Sequence, residues 1–320
     1  MAEVTRSNAA ALIPEDASRE LLRGVAATNP LLQLARRLPD MSTAQRRTPV
    51  MSALATAYFV SGDTGLKQTT SVEWENKYID AEELAVIVPI PEAVLDDNEF
   101  DIWSEVRPAL IEAFGIAIDQ AVLYGTNIPA TWTTNMGGAG LVAISTAAGN
   151  TVSAAAYTDL YEALLGETAG GVAGSLGKLE EDGYVATGHV ADTSMRRKLR
   201  NVRSTVGDPI FRTNMQDSTR YDLDGSPIYF PVNGAISAAT AWIVSGQWNQ
   251  LVYALRQDIT YKVLDQAVIQ DAGGNTIYNL AQQDMVALRA VMRLGFALPN
   301  PINRMQQTAA SRAPFAVLTA

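Results

Sequence analysis

The stretch from Pro89 to Gly125 constrains the fold more than any other part of this chain. Asp101 offers a carboxylate to the free N–H groups at a helix start, and Gly125 stands where a helix can end. The spacing predicts a helix from Asp101 to Tyr124, about 36 Å long at 1.5 Å per residue, across which other elements pack. Its apolar face, with a recurrence of three to four residues, comprises Ile102, Val106, Leu110, Phe114, Ala117, Ile118 and Ala121.

Pro108 complicates this helix. A proline has no N–H, and its ring clashes with the preceding turn of a helix. Pro108 therefore either kinks the helix or marks the first position of its straight portion, and the sequence leaves both interpretations open.

Composition limits the classes of function. A chain of 320 residues exceeds the usual single domain, so we expect two lobes or one lobe with large extensions. Charged residues are only 18% against 48% hydrophobic, which indicates a surface that is covered by further copies of the chain. A net charge of −10 argues against a protein that grips nucleic acid by neutralising phosphates. The absence of cysteine excludes disulfides, thiolate nucleophiles and the common zinc sites.

The sequence contains no apolar run of about 18 residues, the minimum for a membrane span. The first residues carry acids where a signal peptide needs an unbroken apolar core. We therefore expect a protein that is made in the cytoplasm and does not contact a membrane.

Residues 1–46 read as an N-terminal arm. Short apolar clusters separated by prolines predict one helix over Ala17–Ala27 and a second over Pro30–Arg37, and neither can bury its apolar face alone. We expect the arm to lie along a neighbouring surface. The first 50 residues hold seven arginines and no lysine, and Arg36 and Arg37 are candidates for docking onto a partner's carboxylates. A solvated arm with scattered charge is an equally open interpretation.

Residues 47–82 predict a long β-hairpin, with strands over 55–61 and 70–76 and a glycine-containing tip. A lone two-stranded hairpin is marginal in water. We therefore expect it to lie on an adjacent subunit, with folding back onto its own domain as the alternative. The candidate contact residues are Tyr58, Val60, Lys67, Val72 and Trp74.

Beyond the hairpin, residues 83–91 predict a buried strand, and residues 126–140 predict a linker of polar turns between two lobes. From Thr151 helices and strands alternate, which predicts a mixed α/β lobe. Its expected helices span 153–166, 176–181 and 191–202, and its expected strands span 184–188, 226–232, 241–246 and 251–255.

Two later strands, 258–265 and 284–296, alternate strictly. The apolar face of the second strand should pack against the long helix. Arg289 and Arg293 occupy its opposite face, where guanidinium groups need carboxylate partners. Residues 311–318 predict a final edge strand.

The search for catalytic chemistry finds no supporting residues. His189 is the only histidine, so a structural or surface role is expected for it. The acids Asp217, Asp222 and Asp224 lack the spacing of a calcium-binding EF-hand. The basic run from Arg196 to Arg203 favours a solvated or intersubunit face over a nucleic-acid site. We expect no enzyme activity, no cofactor and no metal site.

The order of these elements resembles that of a known protein family. The segments that carry the resemblance are IPEAVLDDNEFDIWSEVRPALIEAFGIAIDQAVLYG, LDGSPIYFPV, and WIVSGQWNQLVYALRQDITYKVLDQA followed by DMVALRAVMRLGFAL. In this order the chain resembles the major capsid proteins of tailed bacteriophages, with the Hong Kong 97-like α+β fold. The resemblance implies four parts. They are an N-terminal arm (1–46), an extended loop (47–82), a peripheral domain (83–150 and 257–305) and an axial domain (151–256 and 306–320).

By this resemblance, the chain assembles into hexamers and pentamers of an icosahedral head that encloses double-stranded DNA without sequence-specific binding. Its expected partners are further copies of itself, a separate scaffolding protein, a portal and a possible decoration protein. It would be found in the virion after assembly in the bacterial cytoplasm. An encapsulin-type compartment around cargo enzymes is the alternative within this fold, and a two-lobed ligand-binding module is the alternative from another class.

Two departures from the family pattern lead to further expectations. Many relatives carry an N-terminal scaffolding segment that is removed, whereas this sequence starts directly with the arm, so a separate scaffold or an already mature form is expected. Some relatives link neighbours through a Lys–Asn isopeptide bond assisted by a Glu. Lys67 and Asn279 stand at comparable places, but no acid lies between Met285 and Phe296, so we predict noncovalent assembly.

Overall fold

The computed structural model describes residues 29–60, 65–96, 102–168, 170–203 and 221–320. Within these ranges the chain is a mixture of helix and sheet. Its α-helices are α1 (Pro30–Leu34), α2 (Glu92–Asp96), α3 (Ile102–Tyr124), α4 (Ala130–Met136), α5 (Leu141–Ala148), α6 (Leu160–Leu165), α7 (Ser175–Glu181) and α8 (Thr193–Arg200). Its strands are β1 (Arg36–Arg37), β2 (Gln45–Ala53), β3 (Glu73–Asp80), β4 (Glu82–Pro91), β5 (Thr151–Ser153), β6 (Gly188–Ala191), β7 (Asp222–Leu223), β8 (Ser226–Tyr229), β9 (Ile243–Gly246), β10 (Val252–Leu264), β11 (Val268–Gln270), β12 (Thr276–Asn279), β13 (Met285–Ala297) and β14 (Phe315–Thr319).

The strands form two larger sheets and two ribbons. A four-stranded sheet has the order β1-β10-β13-β4, and a six-stranded sheet has the order β5-β14-β9-β6-β8-β7. The ribbons are β2-β3 and β11-β12. Because β10 begins six residues after β9 ends, the chain passes directly from one larger sheet to the other.

One apolar core spans the long helix and both larger sheets. Leu110, Phe114 and Ile118 of α3 share a buried cluster with Leu288 and Met292 of β13. The cluster continues into the six-stranded sheet through buried residues of β9 and β14. The prediction that the apolar face of strand 284–296 packs against the long helix is therefore confirmed.

The long helix α3 runs from Ile102 to Tyr124, as its periodicity predicts, while the predicted cap Asp101 lies outside the described residues. Pro108 lies inside this helix and not at its first position, and the choice between a kink and the start of a straight portion stays a prediction. Gly125 ends the helix with φ of 73° and donates its N–H to the carbonyl of Ala121. A Cβ there would collide with the backbone carbonyl of Ala139, so glycine is required both for the left-handed conformation and for the close approach.

The described part of the arm corrects one expectation. Leu31 and Leu32 are buried in the main core of their own chain, and Asn29 caps α1 by accepting the Leu32 N–H at 3.0 Å. Helix α1 ends at Leu34 rather than at Arg37. Arg36 and Arg37 instead form a strand parallel to β10. Residues 29–37 therefore pack on their own subunit, and the other predicted helix, 17–27, lies outside the described residues.

The hairpin is present, but its strands are displaced from the predicted ones. Regular pairing occurs in β2 and β3, with Gln45 opposite Asp80 and Met51 opposite Trp74. The predicted strand 55–61 has no regular structure in its described part. The predicted buried strand 83–91 is β4, an edge strand whose residues alternate between half-buried and exposed.

Several boundaries in the second half also differ. The expected linker 126–140 contains helix α4, because the Trp132 ring is buried against the core and its indole N–H donates to the Asp80 carbonyl. The expected helix 153–166 begins only at Leu160, after β5 and a short 3₁₀ turn. The strand predicted at 184–188 is displaced to β6, and the helix predicted at 191–202 shortens to α8.

Two strand predictions are corrected by long-range pairing. The separate strands 251–255 and 258–265 are one strand, β10, which stays paired with β13 through two register irregularities between Leu255 and Thr260. The final strand β14 is not an edge strand, since it lies between β5 and β9. Among the described residues, none of the helices is long and apolar enough to cross a membrane.

Candidate intersubunit surface

The paired part of the hairpin exposes one apolar face. Residues opposite each other in β2 and β3 share a face, which brings Met51 beside Trp74 and Arg47 beside Tyr78. The Trp74 side chain is 68% exposed, and Met51 and Tyr78 are exposed as well. The opposite face carries Glu75 and Lys77, which form an exposed ion pair at 2.9 Å. The chain therefore presents a row of large apolar side chains without covering them.

Beyond the paired strands, residues 54–60 and 65–72 extend the hairpin without regular pairing. Phe59 is fully exposed, Leu66 is 93% exposed and Tyr58 is 55% exposed. Val60 is also exposed, and Val72 is half-buried. We call Tyr58, Phe59, Val60 and Leu66 the distal apolar group.

A few polar contacts fix the hairpin to its own chain. The Arg304 guanidinium donates to the Ala55 carbonyl at 2.8 Å, and the Ile302 N–H donates to the Met51 carbonyl at 3.3 Å. Across the two limbs of the hairpin, the Thr56 N–H donates to the Thr70 hydroxyl at 3.1 Å. These contacts bind the backbone of residues 51–56 and leave the distal apolar group uncovered by the described residues.

The predicted contact residues fall in three places. Tyr58, Val60, Lys67, Val72 and Trp74 all lie on the hairpin, and Lys67 is exposed. Arg36 and Arg37 lie on the edge strand β1, where Arg37 forms an exposed ion pair with Asp40 at 3.0 Å. Arg289 and Arg293 lie on β13.

On the described part of the hairpin, sequence reasoning missed four exposed large apolar residues: Met51, Phe59, Leu66 and Tyr78. Phe59 stands between two predicted contact residues, so its omission was avoidable. Met51 and Tyr78 could not be selected without the register of β2 and β3, because the true strands begin ten residues before the predicted first strand and end four after the second.

On the outer face of the four-stranded sheet, Arg293 has a carboxylate partner among the described residues and Arg289 does not. Arg293 donates through Nε to Glu83 on the neighbouring strand at 3.0 Å. Arg289 stands opposite Lys262 on one side and Ile87 on the other. No described carboxylate forms an ion pair with Arg289, so the expectation that both arginines have acidic partners holds within this chain only for Arg293.

Comparisons with known proteins agree on one family. The model of the phage capsid family matches residues 9–303. The chain belongs to the phage capsid family. It is 26% identical over 283 residues to the major capsid protein of Staphylococcus phage 80alpha, which covers 86% of this chain and 78% of that protein.

Solved structures from phages support the same family. A structure from Microbacterium phage Oxtober96 is 31% identical, covers 99% of both chains and has a TM-score of 0.77. A structure from Mycobacterium phage Cain is 31% identical, covers 99% of this chain and 98% of that chain, and has a TM-score of 0.75. The chain is thus a phage major capsid protein, a structural component of the virion shell.

In this capsid protein the basic helix α8 is used for packing. The Lys198 ammonium lies 3.1 Å from the centre of the Trp242 ring, and burial lowers the pKa of Lys198. The Arg196 guanidinium lies 4.7 Å from the centre of the Tyr221 ring. Two of the cations in the run therefore contact aromatic rings of their own chain. Arg197 and Arg200 are exposed, and a solvated or intersubunit face stays a prediction for them.

The single histidine of the capsid protein is a buried structural residue. His189 Nδ1 is 2.8 Å from the Ser245 hydroxyl, and Nε2 is 3.2 Å from the Leu223 carbonyl. Burial is the main cause that lowers the His189 pKa to about 4, so the imidazole is neutral at pH 7. The described ranges contain no cluster of three His, Asp or Glu side chains that could hold a metal ion, and Asp217 lies outside them.

Proposed function

We propose that this capsid protein builds the hexamers and pentamers of an icosahedral head with the Hong Kong 97-type fold, and that the head encloses double-stranded DNA. The observation that carries the proposal is the uncovered apolar hairpin of a chain whose family forms phage shells. In the assembled head, the hairpin lies on an adjacent subunit.

The energy of that contact comes from burial of apolar surface. Covering a Phe, Leu or Val side chain completely stabilises a contact by about 1.5–3 kcal/mol. The distal apolar group together with Trp74 therefore offers several kcal/mol for each subunit. Closed symmetry repeats such a contact many times, so interfaces that are individually weak produce a rigid shell.

The four parts implied by the resemblance organise this proposal. We assign 1–46 to the arm, 47–82 to the extended loop, 83–150 and 257–305 to the peripheral domain, and 151–256 and 306–320 to the axial domain. The four-stranded sheet with α3 supports the peripheral assignment, and the six-stranded sheet supports the axial one. The packing of residues 29–37 on their own subunit restricts the arm that reaches a neighbour to the residues before them.

The charged residues among the predicted contact residues complete the proposed contacts between subunits. Arg289 and Lys262 are opposite each other on the outer face, and like charges in that position destabilise a sheet unless an acid neutralises them. We propose that a carboxylate of a neighbouring subunit supplies that neutralisation. Arg36 and Arg37 on the exposed edge strand offer a second basic contact.

The remaining partners follow from the same role. The net charge of −10 suits a wall that confines DNA without gripping it, so no sequence-specific contact with DNA is proposed. We propose a separate scaffolding protein, a portal, a possible decoration protein, and assembly in the host cytoplasm. The proposal includes no enzymatic activity and no cofactor.

Assembly is proposed to be noncovalent. The Asn279 side-chain amide donates to Oε1 of Gln282 at 2.8 Å, and the Asn279 backbone N–H donates to Oε1 of Gln283 at 3.0 Å. Neither contact supplies the carboxylate that an isopeptide bond with Lys67 would need. Denaturing electrophoresis of mature particles should show only single subunits, and a ladder of linked subunits would contradict this part of the proposal.

The central experiment is Phe59→Asp, with Val185→Asp as its matched control. Both side chains are exposed and apolar, but only Phe59 belongs to the hairpin. Because Phe59 is uncovered in the single chain, the substitution should change the free energy of unfolding by no more than about 0.5 kcal/mol. Negative-stain microscopy and sedimentation should show that Phe59→Asp abolishes closed particles while Val185→Asp retains them. Normal particles from Phe59→Asp would contradict the proposed hairpin contact.

A further inference from the structure

Asn233 and Gly234 form the only Asn–Gly pair in the sequence. They lie between β8 and β9, in a segment without helix or strand. Gly234 is exposed and has φ of 73°, and as a glycine it has no side chain that would shield its amide nitrogen. Its N–H donates no hydrogen bond to any described residue. This nitrogen is adjacent in the chain to the side-chain amide of Asn233.

Two contacts hold the Asn233 side chain in place. Its Nδ2 donates to Oδ2 of Asp119 at 3.3 Å, and its Oδ1 accepts the Ala235 N–H at 3.1 Å. The second contact fixes which end of the amide faces Asp119, because only the oxygen can accept from a backbone N–H. The amide nitrogen of Asn233 therefore points at a carboxyl group.

Asp119 lies on the inner face of α3 and is fully buried. Its Oδ1 accepts no hydrogen bond from any residue in the described ranges. Burial is the largest cause that raises the Asp119 pKa to about 7, and the neighbouring amide groups of Asn233 and Asn29 oppose the rise. Asn29 and Asn233 face Asp119 as neutral amides from the elements packed on it. Tyr124 of the same helix has its pKa raised mainly by burial, with smaller contributions from the charges of Asp192 and Asp119. A large fraction of Asp119 is therefore protonated at neutral pH.

We propose that Asn233 is a self-modification site, at which the Gly234 nitrogen closes onto the Asn233 side chain and the Asp119 carboxyl protonates the departing amide nitrogen. The modification is deamidation through a cyclic imide. Asp119 acts as a general acid that is already within hydrogen-bonding reach of the atom that leaves. The Ala235 N–H stabilises the negative charge that develops on Asn233 Oδ1.

The atoms balance without an oxidant or a cofactor. A bond forms between Gly234 N and Asn233 Cγ while the Gly234 amide proton passes to water. The bond between Cγ and Nδ2 then breaks, its electron pair stays on nitrogen, and the proton from Asp119 completes ammonia. Asp119 recovers a proton from water. A second water opens the imide at either carbonyl and leaves aspartate or isoaspartate at position 233.

The deamidated product would change the contact between position 233 and Asp119 irreversibly. A carboxylate at position 233 would stand beside Asp119, and two carboxylates at such a separation cannot both be ionised without a large cost. The segment around Asn233 should therefore separate from α3. Asn29 hydrogen-bonds the Gly115 carbonyl of the same helix at 3.1 Å, so the start of the packed arm lies next to the altered site. The reaction would slowly and irreversibly alter the contact between residues 29–37, α3 and the segment around Asn233.

The test compares conversion of Asn233 in three samples: the folded full-length chain, the folded Asp119→Asn variant, and a synthetic peptide that covers the same segment. Peptide mapping by mass spectrometry measures loss of the amide, and isoaspartate is identified by its separate elution. We expect faster conversion in the folded chain than in the peptide. Asp119→Asn, which keeps the shape and removes the acid, should slow conversion by about 100-fold.

A pH profile provides a second measurement, which does not need the variant to fold. In the peptide the rate should rise with pH throughout, because only loss of the amide proton controls it. In the folded chain the rate should level off above about pH 7 as Asp119 loses its proton. Conversion in the folded chain that is no faster than in the peptide would overturn the proposal. Equal rates for wild type and a folded Asp119→Asn variant, or a folded-chain profile that follows the peptide, would also overturn it.

Discussion

The hairpin and the six-stranded sheet use similar residues to opposite effect. Strand β14 consists of Phe315, three aliphatic residues and Thr319, and its first four side chains are buried. The distal apolar group has an equally apolar composition and is exposed. The difference lies in covering elements, because β14 has a strand on each side and helices α5 and α7 packed against it, whereas no described helix or sheet covers the distal apolar group.

This comparison separates two sources of stability. The six-stranded sheet obtains its stability within one chain, and its neighbouring strands pack closely. A Cβ on Gly246, for example, would lie 2.7 Å from the Pro314 carbonyl and collide with the Phe315 ring. The hairpin has local pairing but little apolar burial, and an isolated ribbon of this kind is marginal. Substitutions should therefore affect folding in the first region and assembly in the second.

The largest expected effect comes from Phe315→Ala, compared with Phe59→Ala in the hairpin. The Phe315 ring is fully buried and meets the Trp248 ring edge-on, with centroids 5.0 Å apart. Its removal leaves a cavity and should lower the free energy of unfolding by about 3–5 kcal/mol. Phe59→Ala should change it by no more than about 0.5 kcal/mol. Denaturant unfolding of the unassembled chain measures both.

The same two variants also test whether the hairpin packs on its own subunit. If Phe59→Ala destabilised the unassembled chain as much as Phe315→Ala, the hairpin would have to pack on its own body in solution. The particle yield should show the opposite order, with Phe59→Ala the stronger defect at permissive temperature.

The parts of the fold that sequence predicts are those with long, regular periodicity. Helix α3 and strand β13 each show an uninterrupted apolar pattern, and both were found within one or two residues. The displaced hairpin strands had no such pattern, since neither face of the ribbon is buried for most of its length. Helix α4 was missed because its sequence, ATWTTNM, has weak local preference and depends on burial of Trp132.

The predicted contact residues show a similar limit of prediction from sequence alone. The hairpin was recognised as a surface from its isolation and its aromatic residues, so Tyr58 and Trp74 could be named. Whether Arg289 has a partner depends on what faces it across the sheet, and that register places Lys262 there instead of an acid. The Asn233–Gly234 pair is visible in the sequence, but its contact with Asp119 is not, because the two residues are 114 positions apart along the chain.

The dependence of the free energy of unfolding on pH should also distinguish the six-stranded sheet from the hairpin. The folded-state pKa of His189, about 4, lies below the ordinary histidine pKa of 6.5, so the unfolded chain binds an extra proton between these two pH values. Stability from this residue is present above about pH 6.5 and is lost as the pH falls towards 4, by about 2–3 kcal/mol. The hairpin contains no histidine. Unfolding of wild type and His189→Gln across this range, with the difference taken at each pH, isolates the effect.

The expected difference between wild type and His189→Gln shrinks on acidification, because the variant has no imidazole to protonate. Titration of Asp119 and of the other carboxylates occurs in both chains and cancels in the difference. A constant difference from pH 7 to pH 4 would show that His189 is not held neutral by the six-stranded sheet.

The smallest effect concerns the outer face of the four-stranded sheet, which lies between the two extremes in exposure. Glu83→Gln removes the acid that pairs with Arg293 and should cost about 0.2–1 kcal/mol in the unassembled chain, because both side chains are partly exposed. Glu181→Gln removes the comparable partner of Lys178 and serves as the control. In sedimentation at increasing salt, loss of particles from Glu83→Gln but not from Glu181→Gln would extend the assembly surface from the hairpin to this sheet. Particles retained by both variants would give no such extension, since exposed ion pairs with no role between subunits contribute little to either measurement.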